Sequence, residues 1–144
     1  MKKLSVGIIG LGNRGYGLLK DAILRMPSVK VTAVCDVYED RCEEAARLIE
    51  ELCGHTPAWT TDYRELLARK DVEAVVVSCE WESHIPVAVE AMQAGIAVGM
   101  EVGGAYSIRQ CWDLVEAYER TGTPFMFLEN CCYGRRELMA LNMV

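Results

Sequence analysis

The chain has 144 residues, of which 51% are hydrophobic and 25% are charged, and its formal net charge is −6. This length suits one domain, and the composition is typical of a globular protein. The acidic balance and the lack of a Lys/Arg cluster argue against nucleic-acid binding. No apolar run approaches the roughly 18 residues that a membrane span needs, so we expect no membrane partner.

The seven cysteines form no C-x-x-C pair and no zinc-ligand spacing. An odd number of cysteines, several of them within apolar segments, favours reduced thiols and a cytoplasmic location. The N-terminal apolar run is interrupted at once by glycines, so it does not resemble a signal peptide. The cysteine spacing thus predicts no metal site. No cysteine lies beside a histidine in a motif typical of a cysteine nucleophile.

An apolar strand over residues 4–9 leads into Gly10-x-Gly12-x-x-Gly15 and a helix over about 13–25. In such a junction Gly10 permits a tight turn, and Gly12 leaves room for a pyrophosphate. Gly15 allows the helix to pack closely on the strand. The free N–H groups and the positive dipole end at the helix start favour a diphosphate.

Strands and helices alternate along the rest of the chain, with short loops between them. The later predicted elements are strand 29–35, helix 39–53, a short strand or connection 55–59, short helix 62–69, strand 74–78, helix 83–95, strand 96–100, helix 107–122, strand 124–128 and helix 134–144. Asp62 with Glu65, and Ser107 with Gln110, have the spacing of capping boxes. Near-continuous Val/Ile runs indicate strands that are buried on both faces. We predict a doubly wound α/β fold, a parallel sheet with helices on both faces.

Asp36 ends the second predicted strand, about 20 residues beyond the glycine loop, where a carboxylate accepts hydrogen bonds from the ribose hydroxyls of NAD. Its charge would repel the 2′-phosphate of NADP, so we predict NAD as the cofactor. The alternative is an aspartate in an ordinary strand-to-helix turn. Arg14 and Arg41 could approach a 2′-phosphate, but we expect them to be solvated or to lie near the diphosphate and the adenine.

The loop Gly-Leu-Gly-Asn-Arg-Gly, Asp36, the helix His84-x-x-x-Ala88-x-x-Ala91-x-x-x-Gly95 and the Glu101 turn resemble the Gfo/Idh/MocA oxidoreductase family. Within it, residues 81–84, 100–103 and 128–135 resemble the NAD-dependent glycosidases of glycoside hydrolase family 109. The family joins an N-terminal Rossmann domain to a C-terminal α/β domain that binds sugars or cyclitols. The resemblance covers only the first of these domains.

The resemblance implies cofactor contacts at the carboxyl ends of the predicted strands, where open α/β sheets bind ligands. They are Gly10, Gly12, Asn13, Arg14 and Gly15 at the diphosphate, Asp36 at the adenosine ribose, Trp81 and His84 beside the cofactor, Glu101 and Val102 near the nicotinamide ribose, and Asn130 near the nicotinamide. Four of the last five, all except Val102, have a plainer interpretation as well. His84 could be a solvated helix residue, Trp81 a packing aromatic, and Glu101 a turn carboxylate. Asn130 could satisfy loop backbone.

The family usually has Glu-Lys-Pro where this chain has Glu101-Val102-Gly103. The family lysine holds or deprotonates the reacting hydroxyl, a role that valine cannot perform. The family 109 glycosidases also lack this lysine, and they use tightly held NAD to oxidise a sugar hydroxyl transiently. The resemblance therefore implies an oxidoreductase acting on a sugar-like substrate or, as the alternative, an NAD-dependent glycosidase. A non-catalytic nucleotide-binding module and a methyltransferase are further alternatives.

The sequence ends in an unusually apolar stretch, namely Leu138, Met139, Leu141, Met143 and Val144. We expect residues 1–144 to be a dinucleotide-binding domain from a longer protein. The acid/base residues would then lie in the C-terminal domain, and this part alone would be inactive. The apolar end also predicts self-association into a homo-oligomer.

Overall fold

The computed structural model describes residues 2–143. Six strands form one parallel sheet in the order β3-β2-β1-β4-β5-β6. The strands are β1 (Leu4–Ile9), β2 (Val29–Cys35), β3 (Ala58–Thr60), β4 (Ala74–Val77), β5 (Ala97–Met100) and β6 (Phe125–Phe127). The helices are α1 (Asn13–Asp21), α2 (Glu39–Cys53), α3 (Tyr63–Leu67), α4 (Trp81–Gln93), α5 (Ile108–Thr121) and α6 (Arg135–Leu141). The predicted doubly wound α/β fold is confirmed.

Two apolar layers enclose the sheet. One layer packs Ile8 and Val34 against α1 and α2, through Leu19 and Ile49. The other layer packs the opposite face, including Val77, against α3, α4 and α5. Because the strand order reverses between β1 and β4, a crevice opens at their carboxyl ends.

The first helix is shorter than the predicted segment 13–25. It ends at Asp21, and a 3-10 helix follows over Ile23–Arg25. Conversely, α4 begins at Trp81, two residues before the predicted start at Ser83. Glu80 is extended and precedes the helix, and its carboxylate accepts a hydrogen bond from the Ser83 hydroxyl. Ser83 therefore lies within the first turn instead of capping it.

The two predicted capping boxes are each half formed. Asp62 accepts from the Arg64 N–H at 2.9 Å, but Glu65 accepts from the Thr60 hydroxyl instead of the cap residue. Ser107 likewise accepts from the Gln110 N–H at 3.2 Å. The Gln110 side-chain oxygen accepts from the N–H of Tyr106, the residue before the N-cap, and not from the N–H of Ser107. The two N-cap residues were predicted correctly. The predicted hydrogen bonds from their own N–H groups to the side chains of Glu65 and Gln110 are not formed.

The C-terminal segment is helical over Arg135–Leu141, and every residue of α6 is exposed. Val144, at the end of the predicted helix, lies outside the described residues. None of the helices within residues 2–143 is long and apolar enough to cross a membrane.

Candidate dinucleotide site at the carboxyl end of the sheet

The glycine loop packs so tightly that two of its glycines have no room for a side chain. Gly10 has φ of +93°, and a Cβ there would lie 2.3 Å from the Cys79 nitrogen. A Cβ on Gly15 would lie 2.0 Å from the Gly10 carbonyl oxygen. At Gly12 the nearest atom to such a Cβ would be Arg41 Nη1, at 3.9 Å. Gly12 therefore borders open space, as a phosphate cradle requires.

The start of α1 faces the same space without a side-chain cap. Gly12 is the N-cap residue, and the Tyr16 N–H donates to its carbonyl oxygen at 2.8 Å. The N–H groups of Asn13, Arg14 and Gly15 have no partner within the helix, because a first helical turn offers none. Together with the helix dipole, they form a site that suits an anion.

Two buried side chains fix the loop. Ser78 follows β4, and its hydroxyl donates to the Gly10 carbonyl oxygen at 2.9 Å. Asp36 follows β2, and its carboxylate accepts from the Leu11 N–H at 2.6 Å. The other Asp36 oxygen accepts from the Tyr38 N–H at 3.0 Å. The sequence predicted Asp36 as a cofactor contact but gave no sign of its role, or that of Ser78, in holding the loop.

A cavity of about 640 Å³ lies between the glycine loop and the ends of β2 and β4. Of the sequence-predicted residues it is lined by Gly10, Gly12, Asn13, Arg14 and Asp36. The lining residues that sequence reasoning did not single out include Val37, Tyr38, Thr61, Tyr63, Cys79, Glu80 and Ser83. All but Ser83 lie within three residues after the end of a strand, and that position was the signal available.

Arg41 and Tyr38 form one end of this cavity. The Arg41 guanidinium lies 4.5 Å from the centre of the Tyr38 ring, and Arg41 Nη1 is 3.5 Å from an Asp36 oxygen. The charge of Asp36 is thus partly balanced by a half-exposed cation. Arg41 was one of the two arginines that we considered for a 2′-phosphate.

Cys35 and Cys79 also line the cavity. Burial raises the pKa of each thiol to about 12. Both therefore stay protonated near neutral pH, where a nucleophile would need the thiolate. Within residues 2–143, no group of three or more His, Cys, Asp or Glu side chains could hold a metal ion.

Three predicted site residues meet at the neighbouring strand ends. Arg14 Nε donates to Glu101 Oε1 at 2.8 Å, and Arg14 Nη2 forms an ion pair with the same oxygen at 2.6 Å. Its Nη2 also lies 3.3 Å from Asn130 Oδ1. Glu101 is only 7% exposed. This contact joins the start of α1 to the residues that follow β5 and β6.

The remaining predicted residues, Trp81, His84 and Val102, do not line the cavity. His84 is buried, and its Nε2 is 3.0 Å from the Cys79 carbonyl oxygen, so the interpretation as a solvated helix residue was wrong. Its Nδ1 is buried without a partner. Trp81 is largely exposed and packs one side of its indole on Gly103. Val102 is half-exposed and offers no titratable group.

Comparison with known proteins agrees with this geometry. Residues 4–128 match the family model described as oxidoreductase family, NAD-binding Rossmann fold. The chain is 43% identical over 142 residues to a glycosyl hydrolase family 109 protein from Streptomyces filamentosus, covering 96% of this chain and 28% of the relative. A protein of the same name from Shewanella putrefaciens is 36% identical over 148 residues, covering all of this chain and 32% of the relative.

Solved structures show the same fold. GenD2 from gentamicin A biosynthesis, in complex with NAD, has a TM-score of 0.86 at 24% identity, covering 99% of this chain and 39% of that one. Myo-inositol 2-dehydrogenase from Lactobacillus plantarum has a TM-score of 0.85 at 19% identity, covering 99% and 41%. The chain thus spans about a third of the length of the curated relatives it matches.

The family model matches most of the chain, and the glycine loop and Asp36 form the geometry that this fold uses for its dinucleotide. The chain therefore belongs to the Gfo/Idh/MocA oxidoreductase family, and residues 4–128 are its NAD-binding Rossmann fold.

Proposed function

We propose that residues 1–144 are the NAD-binding domain of a longer enzyme that acts on a sugar or cyclitol. The observation that supports this most directly is the cavity, where the open side of Gly12 and the Asp36 carboxylate lie together. Relatives named as glycosyl hydrolases and a structural neighbour named as an inositol dehydrogenase support the substrate class. A further domain would hold the substrate and the acid/base residues.

The residues present fit NAD. The N–H groups at the start of α1 would hold the diphosphate, and Asp36 retains lone pairs that can accept from a ribose hydroxyl. Bound NAD would supply a reversible hydride acceptor. Glu101 and Asn130 follow β5 and β6, on the side of the glycine loop away from Asp36, which supports a place at the nicotinamide end. Trp81, His84 and Val102 flank that end, and we retain them as proposed cofactor neighbours.

The choice between NAD and NADP tests the role of Asp36. Asp36→Ala would also free the Leu11 N–H, so it would disturb the loop for either cofactor. Asp36→Asn keeps one acceptor oxygen for the Leu11 N–H, but it removes the charge and the acceptor of the Tyr38 N–H. We expect it to weaken NAD binding about tenfold in calorimetry, since hydrogen bonds to charged groups contribute about 1.5–3 kcal/mol. NADP binding should stay the same or tighten.

Asp40→Asn is the matched control, because Asp40 is an exposed aspartate in the first turn of α2. It should leave both affinities unchanged. If Asp36→Asn weakened NAD and NADP equally, Asp36 would lie outside the ribose site. No detectable binding of NAD to the unmodified chain would overturn the cofactor proposal itself.

The second candidate function is NAD-dependent cleavage of a glycoside. Two observations favour it, the family 109 relatives and the absence of a titratable group at Val102. The neighbouring carboxylate, Glu101, is bound to Arg14 and is not placed as a substitute base. Oxidation of a sugar hydroxyl would acidify the proton on the adjacent carbon, and elimination would then release the aglycone. Water addition and return of the hydride would complete the cycle.

A chimera distinguishes these functions. Residues 1–144 would replace the matching part of the Streptomyces filamentosus relative, with the unmodified relative as control. Cleavage of aryl glycosides in deuterated water should place deuterium on the carbon beside the oxidised one. Oxidation of a free sugar without cleavage would favour the dehydrogenase. NAD binding without either reaction, while the unmodified relative turns over, would favour a non-catalytic binding module.

Two proposals concern the setting of this domain. Copies of the chain should associate, because large apolar side chains such as Met126, Met139 and Leu141 are exposed. Light scattering tests this, and a monomer at high concentration would contradict it.

A cytoplasmic setting without nucleic-acid partners is supported by the free thiols and the net charge of −6.

A further inference from the structure

Two glycines after β5 are packed against the start of α4. Gly103 has φ of +89° and Gly104 has φ of +93°, values that other residues rarely adopt. A Cβ on Gly103 would lie 2.9 Å from Cε2 of the Trp81 indole. A Cβ on Gly104 would lie 2.5 Å from Cβ of His84. The turn and the first turn of α4 therefore fit together only with glycine at both positions.

This packing explains the departure from Glu-Lys-Pro. Proline has φ fixed near −65°, so it cannot occupy position 103 in the observed turn. Any side chain there would also enter the space that the Trp81 ring fills. Trp81 and the sequence Glu-Val-Gly-Gly are thus parts of one arrangement, and the loss of the lysine accompanies a rebuilt turn.

The same turn begins with Glu101, whose position it determines. The Glu101 N–H donates to the Val77 carbonyl oxygen at 2.9 Å, which fixes its backbone beside β4. Its carboxylate is nearly buried, and a buried charge needs a partner. Arg14 supplies that partner at 2.6 Å. A shift of the turn would separate the two groups.

We propose that Trp81 is a positioning residue, which acts through Gly103 to hold Glu101 where it fixes Arg14 at the rim of the cavity. Arg14 is half-exposed and lines the same cavity as Gly10 and Gly12, the loop that we propose holds the diphosphate. With Glu101 in place, Arg14 is held there in advance, which lowers the cost of ordering it on binding. The effect on NAD rests on the proposed function, whereas the contact within the protein does not.

The test compares Gly103→Ala, Trp81→Ala, the double variant and Trp81→Phe. The first readout is the Nε–H signal of Arg14 in NMR, recorded without cofactor and assigned by its loss in Arg14→Lys. The second is the Kd for NAD by calorimetry. We expect Gly103→Ala and Trp81→Ala each to speed exchange of the Arg14 Nε–H and to raise the Kd about tenfold, as loss of a charged hydrogen bond does. The double variant should be no worse than either one.

Trp81→Phe keeps a ring against Gly103 and should restore both readouts. Gly95→Ala is the control for backbone strain, because Gly95 has φ of +76° with no atom within 4 Å of its would-be Cβ. It should lower the melting temperature without changing the Arg14 signal or the Kd.

Each other outcome has a definite meaning. Additive effects of Gly103→Ala and Trp81→Ala, or an unchanged Arg14 signal in either variant, would overturn the positioning role. If Trp81→Ala weakened NAD but left the Arg14 signal unchanged, Trp81 would act by touching the cofactor. If the Arg14 signal behaved as expected while the unmodified chain bound no NAD, the positioning role would stand and the proposed function would fail.

Discussion

The two halves of the sheet differ in how they are covered. Val34, Ile8, Val76, Gly99 and Met126 lie side by side in one row that crosses five strands. The first two are fully buried beneath α1 and α2, the next two are partly buried, and Met126 is 61% exposed. Cover on this face therefore declines steadily from β2 to β6.

The opposite face has no such gradient until its last strand. In the adjacent row Cys35, Ile9, Val77 and Met100 are all buried, and only Phe127 is half-exposed. Parallel sheets are normally covered on both faces. Within residues 2–143, the β4–β6 half has helices on one face only, since the exposed α6 does not cover the other. An open apolar face of this kind marks an interaction surface.

The largest effect on the free energy of unfolding should come from the buried end of the row that runs from Val34 to Met126. Ile8→Ala removes a fully buried side chain from the central strand, and we expect it to lower the free energy of unfolding by about 2–5 kcal/mol. Met126→Ala, in the same row, should cost less than about 0.5 kcal/mol because the side chain is exposed. Urea denaturation measures both. Equal losses would mean that Met126 is covered in solution.

An intermediate loss of stability should appear at alkaline pH, as a lower melting temperature. Burial raises the pKa of Cys35 to about 12 in the folded chain, above its ordinary value of 9.0. The contribution of the protonated Cys35 thiol to the free energy of unfolding is complete below pH 9. It is lost as pH rises towards 12, because the thiol loses its proton at a lower pH in the unfolded chain than in the folded chain. The melting temperature should therefore fall above pH 9.

Substituting the cysteine tests the origin of this fall. Cys35→Ala should make the decline in melting temperature between pH 9 and 11 shallower, whereas Cys111→Ala, at an exposed thiol, should not. Slopes are compared, because Cys35→Ala also leaves a small cavity. Other groups with a raised pKa, such as Tyr63, should leave part of the decline in place. Identical slopes in all three proteins would remove Cys35 as a cause.

The smallest effect on stability should come from a charge on the open face. Met126→Lys should change the free energy of unfolding by no more than about 0.5 kcal/mol, because the side chain already reaches solvent. It should nevertheless reduce self-association in light scattering, since a charge disfavours burial of the face against another copy. Glu119→Gln, on the exposed side of α5, changes the net charge by the same +1 and is the control for net charge. Equal reductions by both variants would point to net charge alone.

Local patterns were sufficient to predict most of the fold. The bounds of β2 and α2 were predicted without error, because an apolar run ends at Asp36 and a helical pattern ends at Gly54 in the left-handed conformation. The start of α4 was missed, since Ser83 has the features of a cap but bonds to Glu80 instead. The burial of His84 was not predicted either, because it depends on Gly104 and on the Cys79 carbonyl oxygen, which the sequence does not place beside it.

The candidate site was predictable in outline only. Strand ends identify which residues share an edge, and this rule placed Arg14, Glu101 and Asn130 at one edge, with Arg14 at the diphosphate and the other two near the nicotinamide. Their direct contact joins positions 87 and 116 residues apart, and it depends on side-chain conformations that spacing does not encode. The fit of Trp81 to Gly103 was equally hidden, because a positive φ at glycine becomes visible only in three dimensions.

The two edge strands of the sheet are its shortest. β3 and β6 have three residues each, and they leave few unpaired backbone groups on either side. Short edges discourage another strand from extending a sheet sideways. A partner that meets this domain would therefore add a new layer over the strands β4–β6, and the hydrogen-bonded ladder itself would stay six strands wide.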